Sequence, residues 1–532
     1  MKHLFLTLLL CAVSVMPTLA QVRGGIISGT VQDQQGGVLP GASVTAQGLD
    51  ATIAVTTIAD GTYHFLDLAP GPYKVTAGLT GFSTVVRDNI IVAVGRTVDV
   101  PLTLNVAAQA ETIEVTGAAP MIDETVSGTA ANFTIAELIS IPTSRDPFAL
   151  MRGVPGVLLD QVNVGGNETG QQAIVFGKGT RQQDTTWTID GVEITDMGAP
   201  GQSPTYFNFD NFEEIRVATA GNEITARTGG VGINLITKRG TNRYHGGIRG
   251  YLSNNSMESS NVPAELKALA TPITPEKADH TLQTSDWGFD LGGPLMRDRA
   301  WFYASMSRQD IRIFKRSTNA EDRTRLNNPQ VKVNWQATKK DLVNFLFFNG
   351  FKVKSGRSNT ANASTFEAFE ATLHQDNAYA DNPLHGLFKI GDDRVVNSNM
   401  FLSAAYAYYN TGIKLTPEGG LDAQAGRNVA LSRAYGSTVQ TLQLRPQHSV
   451  TVNANNFARA FGASHNIKYG VGYRKVLSQT QVEWPGNGIL GIVQAQDAAG
   501  NPTDLRAQVF RQTNGANLVK YLDFYVGDTL SF

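Results

Sequence analysis

The C-terminal half of this chain alternates residue by residue. Ile467, Tyr469, Val471 and Tyr473 stand between Asn466, Lys468, Gly470, Gly472 and Arg474. Val343, Phe345, Phe347, Phe351 and Val353 repeat the pattern, and Val331, Val333 and Trp335 alternate with Lys332, Asn334 and Gln336. A period of two is the period of a strand, so each segment presents one apolar face and one small or charged face. Aromatic clusters at Trp301-Phe302-Tyr303 and at Tyr406, Tyr408 and Tyr409 suit the girdles of an outer-membrane barrel, whose strands are about ten residues long. A soluble β-sandwich gives the same period. The polar stretches 253–281 and 355–381 read as long extracellular loops. Gly292-Gly293-Pro294-Leu295 followed by Arg297-Asp298-Arg299 reads as a short periplasmic turn.

Composition removes several alternatives. Lys+Arg is 44 against Asp+Glu 46, for a formal net charge of -2, so the basic surplus of a nucleic-acid-binding protein is missing. Cys11 is the single cysteine, which excludes an intramolecular disulfide and a cysteine-based metal centre. No run reaches the ~18 consecutive apolar residues of a transmembrane helix. Residues 1–20 read as a secretory signal: Lys2 and His3, an apolar stretch from Leu4 to Val15, then Pro17 and small residues for cleavage after Ala20. Leu10 stands before Cys11 where a lipoprotein signal needs a small residue, so export without a helical anchor is expected.

Residues 21–108 hold about seven short strands separated by turn residues, which predicts a β-sandwich. Asp60-Gly61, between Thr56-Thr57-Ile58 and Tyr63-His64-Phe65, reads as a hairpin. Gly29-Thr30-Val31, Leu39-Pro40-Gly41-Ala42, Asp60-Gly61-Thr62-Tyr63, Pro70-Gly71-Pro72-Tyr73 and Gly81-Phe82 together resemble the carboxypeptidase regulatory-like domain. That family implies a prealbumin-like sandwich grouped with carbohydrate-binding-like folds. It is a non-catalytic accessory domain, so a spacer or partner-docking role is expected ahead of glycan binding.

Ala107 to Gln109 form a small-residue linker, and the linking segment 109–118 carries Glu111, Thr112, Ile113, Glu114 and Val115. A short β-branched segment between flexible flanks suits addition to another protein's sheet edge. It resembles the TonB box of TonB-dependent outer-membrane receptors; the alternative is a last sandwich strand. Residues 119–240 resemble the plug domain of the same receptors, with pieces in family order. These are Arg145-Asp146-Pro147-Phe148, a short helix at Ala149-Leu150-Met151-Arg152, the Gly153-Val154-Pro155-Gly156-Val157 turn, and Ile189-Asp190-Gly191-Val192. Glu214-Ile215-Arg216-Val217 follows, then Gly229-Gly230 and Ile233-Asn234-Leu235-Ile236-Thr237. The motif positions taken from this resemblance are Arg145, Asp146, Pro147, Asp190, Gly191, Gly229, Gly230 and Asn234. Arg145-Asp146-Pro147-Phe148 and the stretch from Thr237 to Gly246 most resemble the Oar-like subgroup. Gly177-Lys178-Gly179 is too short for a dinucleotide fingerprint, and no P-loop occurs.

Neither a His-Glu-x-x-His helix nor a Gly-x-Ser-x-Gly elbow is present, and no enzyme, cofactor or metal site is expected. The fold expected is mainly β: a sandwich, a small α+β plug, and residues 241–532 as an antiparallel outer-membrane barrel. About ten strands are counted, whereas plugged transporters have about 22, so the barrel is expected to be incomplete. The resemblance implies a receptor in the outer membrane of a Gram-negative-type bacterium, with the sandwich in the periplasm. Such a receptor is a monomeric barrel that imports an oligosaccharide, siderophore or other small-molecule ligand using a TonB-type energy-transducing complex. The alternative is an adhesion, secretion or assembly protein whose sandwich docks a partner.

Overall fold

A computed structural model describes residues 24–50, 52–106, 112–115, 129–140, 148–160, 170, 172–177, 179–203, 205–220, 226–260, 262–269, 272–316, 318–357, 365–366, 369–377 and 384–531. The signal segment with Ala20, and Glu111, Arg145, Asp146 and Pro147, lie outside them.

Two sheets make the sandwich. Gly25–Asp33 pairs with Thr62–Leu68 on one side and with Thr97–Asp99 and Leu102–Leu104 on the other. The second sheet runs Thr52–Thr56, Ser43–Gln47, Gly71–Gly78, Thr84–Val92, Thr112–Val115. Alternate residues of both sheets, among them Ile27, Val44, Tyr63, Phe65, Val75 and Leu102, close a shared core. Burial of such side chains stabilises by about 1.5–3 kcal/mol each before entropy is set against it. The hairpin expected at Asp60-Gly61 does not form. Thr52–Thr56 pairs with Ser43–Gln47, and Thr62–Leu68 pairs with Gly25–Asp33, so this turn carries the chain from one sheet to the other. Asp60 still shapes it, its Oδ1 accepting from the Thr62 amide at 3.1 Å and hydroxyl at 2.7 Å.

The plug is a mixed five-stranded sheet in the order Thr129–Thr134, Phe212–Ala220, Gly232–Thr237, Thr186–Ile189, Val192–Glu193. The last strand of this path folds back at Asp190-Gly191 as a two-residue hairpin. Its core gathers Phe148, Trp187, Phe207 and Phe212 with Leu346, Phe348 and Leu387 from the surrounding strands. The helical turn expected at Ala149-Leu150-Met151-Arg152 is a 3-10 turn, Ala149–Gly153, with Leu150 and Met151 buried.

Around the plug runs one large antiparallel sheet. Its spans are His245–Asn254, His280–Met296, Ala300–Lys315 and Ala320–Gln336, then Asp341–Phe348 continued by Phe351–Arg357. Leu373–Asp376 with Gly386–Asn397, Met400–Asn410 continued by Gly412–Pro417, Gln440–Leu444 with Gln447–Ala460, Ala463–Glu483 and Thr513–Ser531 complete ten spans among the described residues. The alternation read from sequence is spatial. Val331, Trp335, Phe345, Ile390, Tyr406, Val450 and Tyr473 are exposed on the outside. Gln330, Asn344, Lys389, Ser403, Gln447 and Arg474, of opposite parity, are buried against the plug. Among the described residues the sheet does not close: His245–Asn254 pairs only with His280–Met296, and Thr513–Ser531 only with Ala463–Glu483. Among the same residues, no helix is long and apolar enough to cross a membrane.

The connections differ sharply at the two ends. At one end Met296 to Ala300, Asn397 to Met400 and Ala460 to Ala463 are tight turns; at the other, Asn254 to His280 and Glu483 to Thr513 are long. The short turn expected near 292–299 lies at Arg297-Asp298-Arg299, while Gly292 to Leu295 continue the strand. The sandwich is seated at the short-turn end. Ile26 and Leu66 pack on Phe401 with Val395 and Phe457 alongside, and Arg459 Nη1 is 3.5 Å from Asp60 Oδ2.

Candidate functional site

Polar anchors fix the plug to the inner face of the barrel sheet, and three of them centre on plug carboxylates Asp190, Glu193 and Asp210. The first is built on the Asp190-Gly191 turn. Both residues have positive φ, +44° and +76°, as a two-residue hairpin of this twist requires; aspartate and glycine tolerate that region. The turn projects the Asp190 carboxylate into a buried pocket. Oδ1 accepts from the Thr237 amide at 2.9 Å and Oδ2 from the Thr237 hydroxyl at 2.7 Å. Lys332 Nζ lies 2.8 Å from Oδ2, and Lys389 Nζ donates to the Asp190 carbonyl at 2.8 Å. Burial alone would raise the carboxyl; the two ammonium charges and these hydrogen bonds outweigh it and hold Asp190 at about 2.

The second anchor follows two residues later. Glu193 Oε1 pairs with Arg474 Nη1 at 2.7 Å and Oε2 with Arg227 Nη1 at 2.7 Å. Arg474 also donates to the Thr195 carbonyl at 2.8 Å, and Gln447 Nε2 to the Glu193 carbonyl at 2.6 Å. The third lies across the sheet. Asp210 Oδ2 meets Arg249 Nε at 2.6 Å, and Asn211 Nδ2 donates to Gln330 Oε1 at 3.0 Å. Asp190 with Lys332, Glu193 with Arg474, Asp210 with Arg249 and Asn211 with Gln330 each join a residue in or beside a plug turn to a barrel strand, while Arg227 lies within the plug and itself pairs with Asp523 of the barrel at 2.7 Å.

A separate junction ties the plug to the sandwich. The Glu214 carboxylate, fully buried, accepts from the Val94 amide at 3.1 and 3.2 Å and from Asn132 Nδ2. Asn132 Nδ2 also donates to the Val94 carbonyl at 3.2 Å. Burial pushes Glu214 up to about 7, against the lowering effect of those hydrogen bonds and of Arg216. Beside it, Arg239 is 3.4 Å from Asp50 and 3.7 Å from Glu213, and donates to the Pro70 carbonyl at 3.3 Å. A small open cleft lies where sandwich, plug and barrel meet, lined by Asp67, Asp190, Glu213, Arg239, Lys332 and Asn344.

The positions singled out from sequence therefore separate. Asp190 and Gly191 form the first anchor. Asn234 is on a central plug strand, its Oδ1 accepting from the Thr188 hydroxyl at 2.8 Å. Gly230 is where a Cβ would strike the Asp184 carbonyl, at 2.1 Å, with Gly229 beside it. Thr112–Val115 is not a bare linker: it pairs in parallel with Thr84–Val92 as the end strand of the sandwich sheet. Lys332 and Arg474 were visible in sequence as inward-parity residues, but not their partners. Glu193, Asp210 and Arg239 carried no signal beyond their charge, and Glu214 was read only as part of the Glu214-Ile215-Arg216-Val217 strand. Among the described residues, no group of three or more His, Cys, Asp or Glu side chains is placed to hold a metal ion.

Comparison with known proteins follows the same division. Residues 26–105 match the carboxypeptidase regulatory-like domain and residues 236–321 the outer membrane beta barrel domain. The TonB-dependent transporter Oar of Myxococcus xanthus is 27% identical over 303 residues, covering 54% of this chain and 27% of that protein. The crystal structure of the outer membrane transporter YddB from Escherichia coli superposes with a TM-score of 0.54 at 13% identity. That alignment covers 76% of this chain and 54% of the other, and it shows a shared fold. The chain thus spans about a quarter of its curated relative's length and about half of the solved structure's.

Proposed function

We infer that this chain is a TonB-dependent outer-membrane receptor of the Oar-like type, and that it imports a large or scarce ligand with energy drawn from the inner membrane. The observation that carries this is the order of parts: a docked sandwich, an extended strand at 112–115, and a plug pinned by buried ion pairs inside a membrane-type sheet. An outer membrane has no nucleotide pool, so work done there has to arrive mechanically. A TonB-type complex reaching the periplasmic side would add a strand to residues 111–115 and pull.

The anchors dictate where such a pull acts. Asp190, Glu193 and Asp210 hold the hairpin and turns of the plug to the barrel. Thr129–Thr134, the next described element after the coupling strand, is an edge strand held by the backbone ladder to Phe212–Ala220 and by Asn132. Breaking a buried ion pair costs about 3–5 kcal/mol, whereas a net backbone hydrogen bond is worth about 1 kcal/mol. A pull therefore strips the edge strand before it moves the pinned turns, and opens a path by remodelling the plug rather than expelling it. The sandwich lies on the periplasmic side. The ligand is a small molecule or oligosaccharide: the first is suggested by the receptor architecture, the second by the fold group of the sandwich.

The test has two steps. Ligand co-purified with the full-length receptor is identified by mass spectrometry. Cells carrying a deletion of residues 111–115 should then bind that ligand normally and accumulate none. Retained accumulation would refute the coupling role.

A further inference from the structure

The coupling segment and the sandwich share one backbone ladder. Thr84 lies opposite Thr112, Val85 opposite Ile113, Val86 opposite Glu114 and Arg87 opposite Val115, in parallel register. A strand paired in this way transmits a pull sideways into Thr84–Val92. From there it passes into a sandwich whose other sheet is docked on the barrel through Ile26 and Leu66 against Phe401, and through Asp60 against Arg459. Load taken along that route bypasses Thr129–Thr134. For a pull to reach the plug's edge strand, the ladder to Thr84–Val92 has to open first. It is built to open: it is short, it lies at the end of the sheet, and parallel pairing is slightly less stable per residue than antiparallel.

We propose that the sandwich edge Thr84–Val92 is a parking site for the coupling strand, and that the energy-transducing partner takes the strand by exchange. The partner fitted to this surface is an extended strand that replaces Thr84–Val92 on Thr112–Val115. The sandwich then sets the fraction of receptors open to coupling, and the partner's apparent affinity falls in proportion to that fraction. Release is linked to undocking. Asn132 on Thr129–Thr134 bonds both Glu214 and the Val94 carbonyl of the sandwich, so stripping that strand also loosens the sandwich from the plug.

This inference rests on the coupling reading of residues 111–115, and one experiment separates the two. Full-length receptor carrying Thr84→Cys and Thr112→Cys, with every other cysteine of the mature protein replaced by serine, is reconstituted in liposomes. Paired strands lie about 4.8 Å apart, within reach of a disulfide. The probe is the purified periplasmic domain of a TonB-type protein. The oxidised receptor should bind it at least about tenfold more weakly than the reduced one, and reductant should restore binding. Arg87→Cys with Val115→Cys should behave alike if the first pair perturbs the fold. Thr84→Cys with Val115→Cys, out of register, should not cross-link; efficient cross-linking there would overturn the parking geometry. Equal binding in both redox states would overturn exchange and leave coupling standing, with the partner adding to the strand's outer edge. No binding in either state, nor by the unmodified receptor, would overturn both.

Discussion

Docking of the sandwich buries two titratable side chains whose ionisation works in opposite directions. The His64 ring stacks on Phe457 of the barrel with centroids 4.2 Å apart. Burial lowers its pKa to about 4, with Asp60 pulling weakly the other way. Glu214, buried under the Val94 loop, is raised to about 7. For His64 the neutral form is favoured when folded. Its contribution is complete above the unfolded value of 6.5 and is lost as pH falls toward 4. For Glu214 the protonated form is favoured when folded. Its contribution is complete below the unfolded value of 4.5 and is lost as pH rises toward 7. Each spans on the order of 3 kcal/mol at about 1.4 kcal/mol per unit, and the windows nearly coincide. Relative to the unmodified chain, His64→Gln should tilt the Tm profile downward with rising pH between 4.5 and 7, and Glu214→Gln should tilt it upward. Thermal unfolding of the two variants in detergent from pH 4 to 8 checks this; parallel profiles would defeat it.

At the scale of elements, the same dipeptide gives two outcomes. Asp190-Gly191 closes a hairpin, while Asp60-Gly61 carries the chain between sheets. Both glycines have positive φ, +76° and +74°, but Asp190 has it too and Asp60 does not, so only the first turn takes the two-residue hairpin form. The partner of each strand flanking the second turn goes with this: Thr52–Thr56 finds Ser43–Gln47, and Thr62–Leu68 finds Gly25–Asp33. That choice is set by core packing of distant residues, which no short window contains. Thr112–Val115 is a similar case, since its extended form was readable and its neighbour was not. The hairpin that does form is expected to depend on its anchor more than on its turn. Asp190→Asn keeps a residue that tolerates positive φ but leaves Lys332 buried without its counter-charge, costing about 3–5 kcal/mol. Hydrogen exchange of the Thr186–Ile189 and Val192–Glu193 amides should accelerate accordingly. Adding Lys332→Met, which removes the stranded charge, should recover most of the protection. Equal exchange in single and double variants would show that the ion pair is not what holds the hairpin.

For the whole molecule, alternation read from sequence supplied the barrel strands, their inward and outward faces and the long loops, because a period of two is a local property. The seat of the sandwich was not legible. It depends on Ile26 and Leu66 leaving their own core to meet Phe401, and on pairs such as Asp50 with Arg239 that are far apart in the chain. That seat has a consequence for sidedness. In outer-membrane barrels short turns face the periplasm and long loops face outward. The sandwich contacts strands next to the tight turns at Asn397 to Met400 and Ala460 to Ala463, so it belongs inside the envelope. The short helix Ala264–Lys267 belongs to the long connection after Asn254 and faces the medium. In a receptor otherwise free of cysteine, Lys267→Cys should react with a membrane-impermeant maleimide on intact cells. Gln35→Cys, on an exposed sandwich turn, should react only after the outer membrane is permeabilised. Labelling of Gln35→Cys on intact cells would put the sandwich outside, where no inner-membrane complex could reach Thr112–Val115, and the coupling mechanism would fall with the orientation.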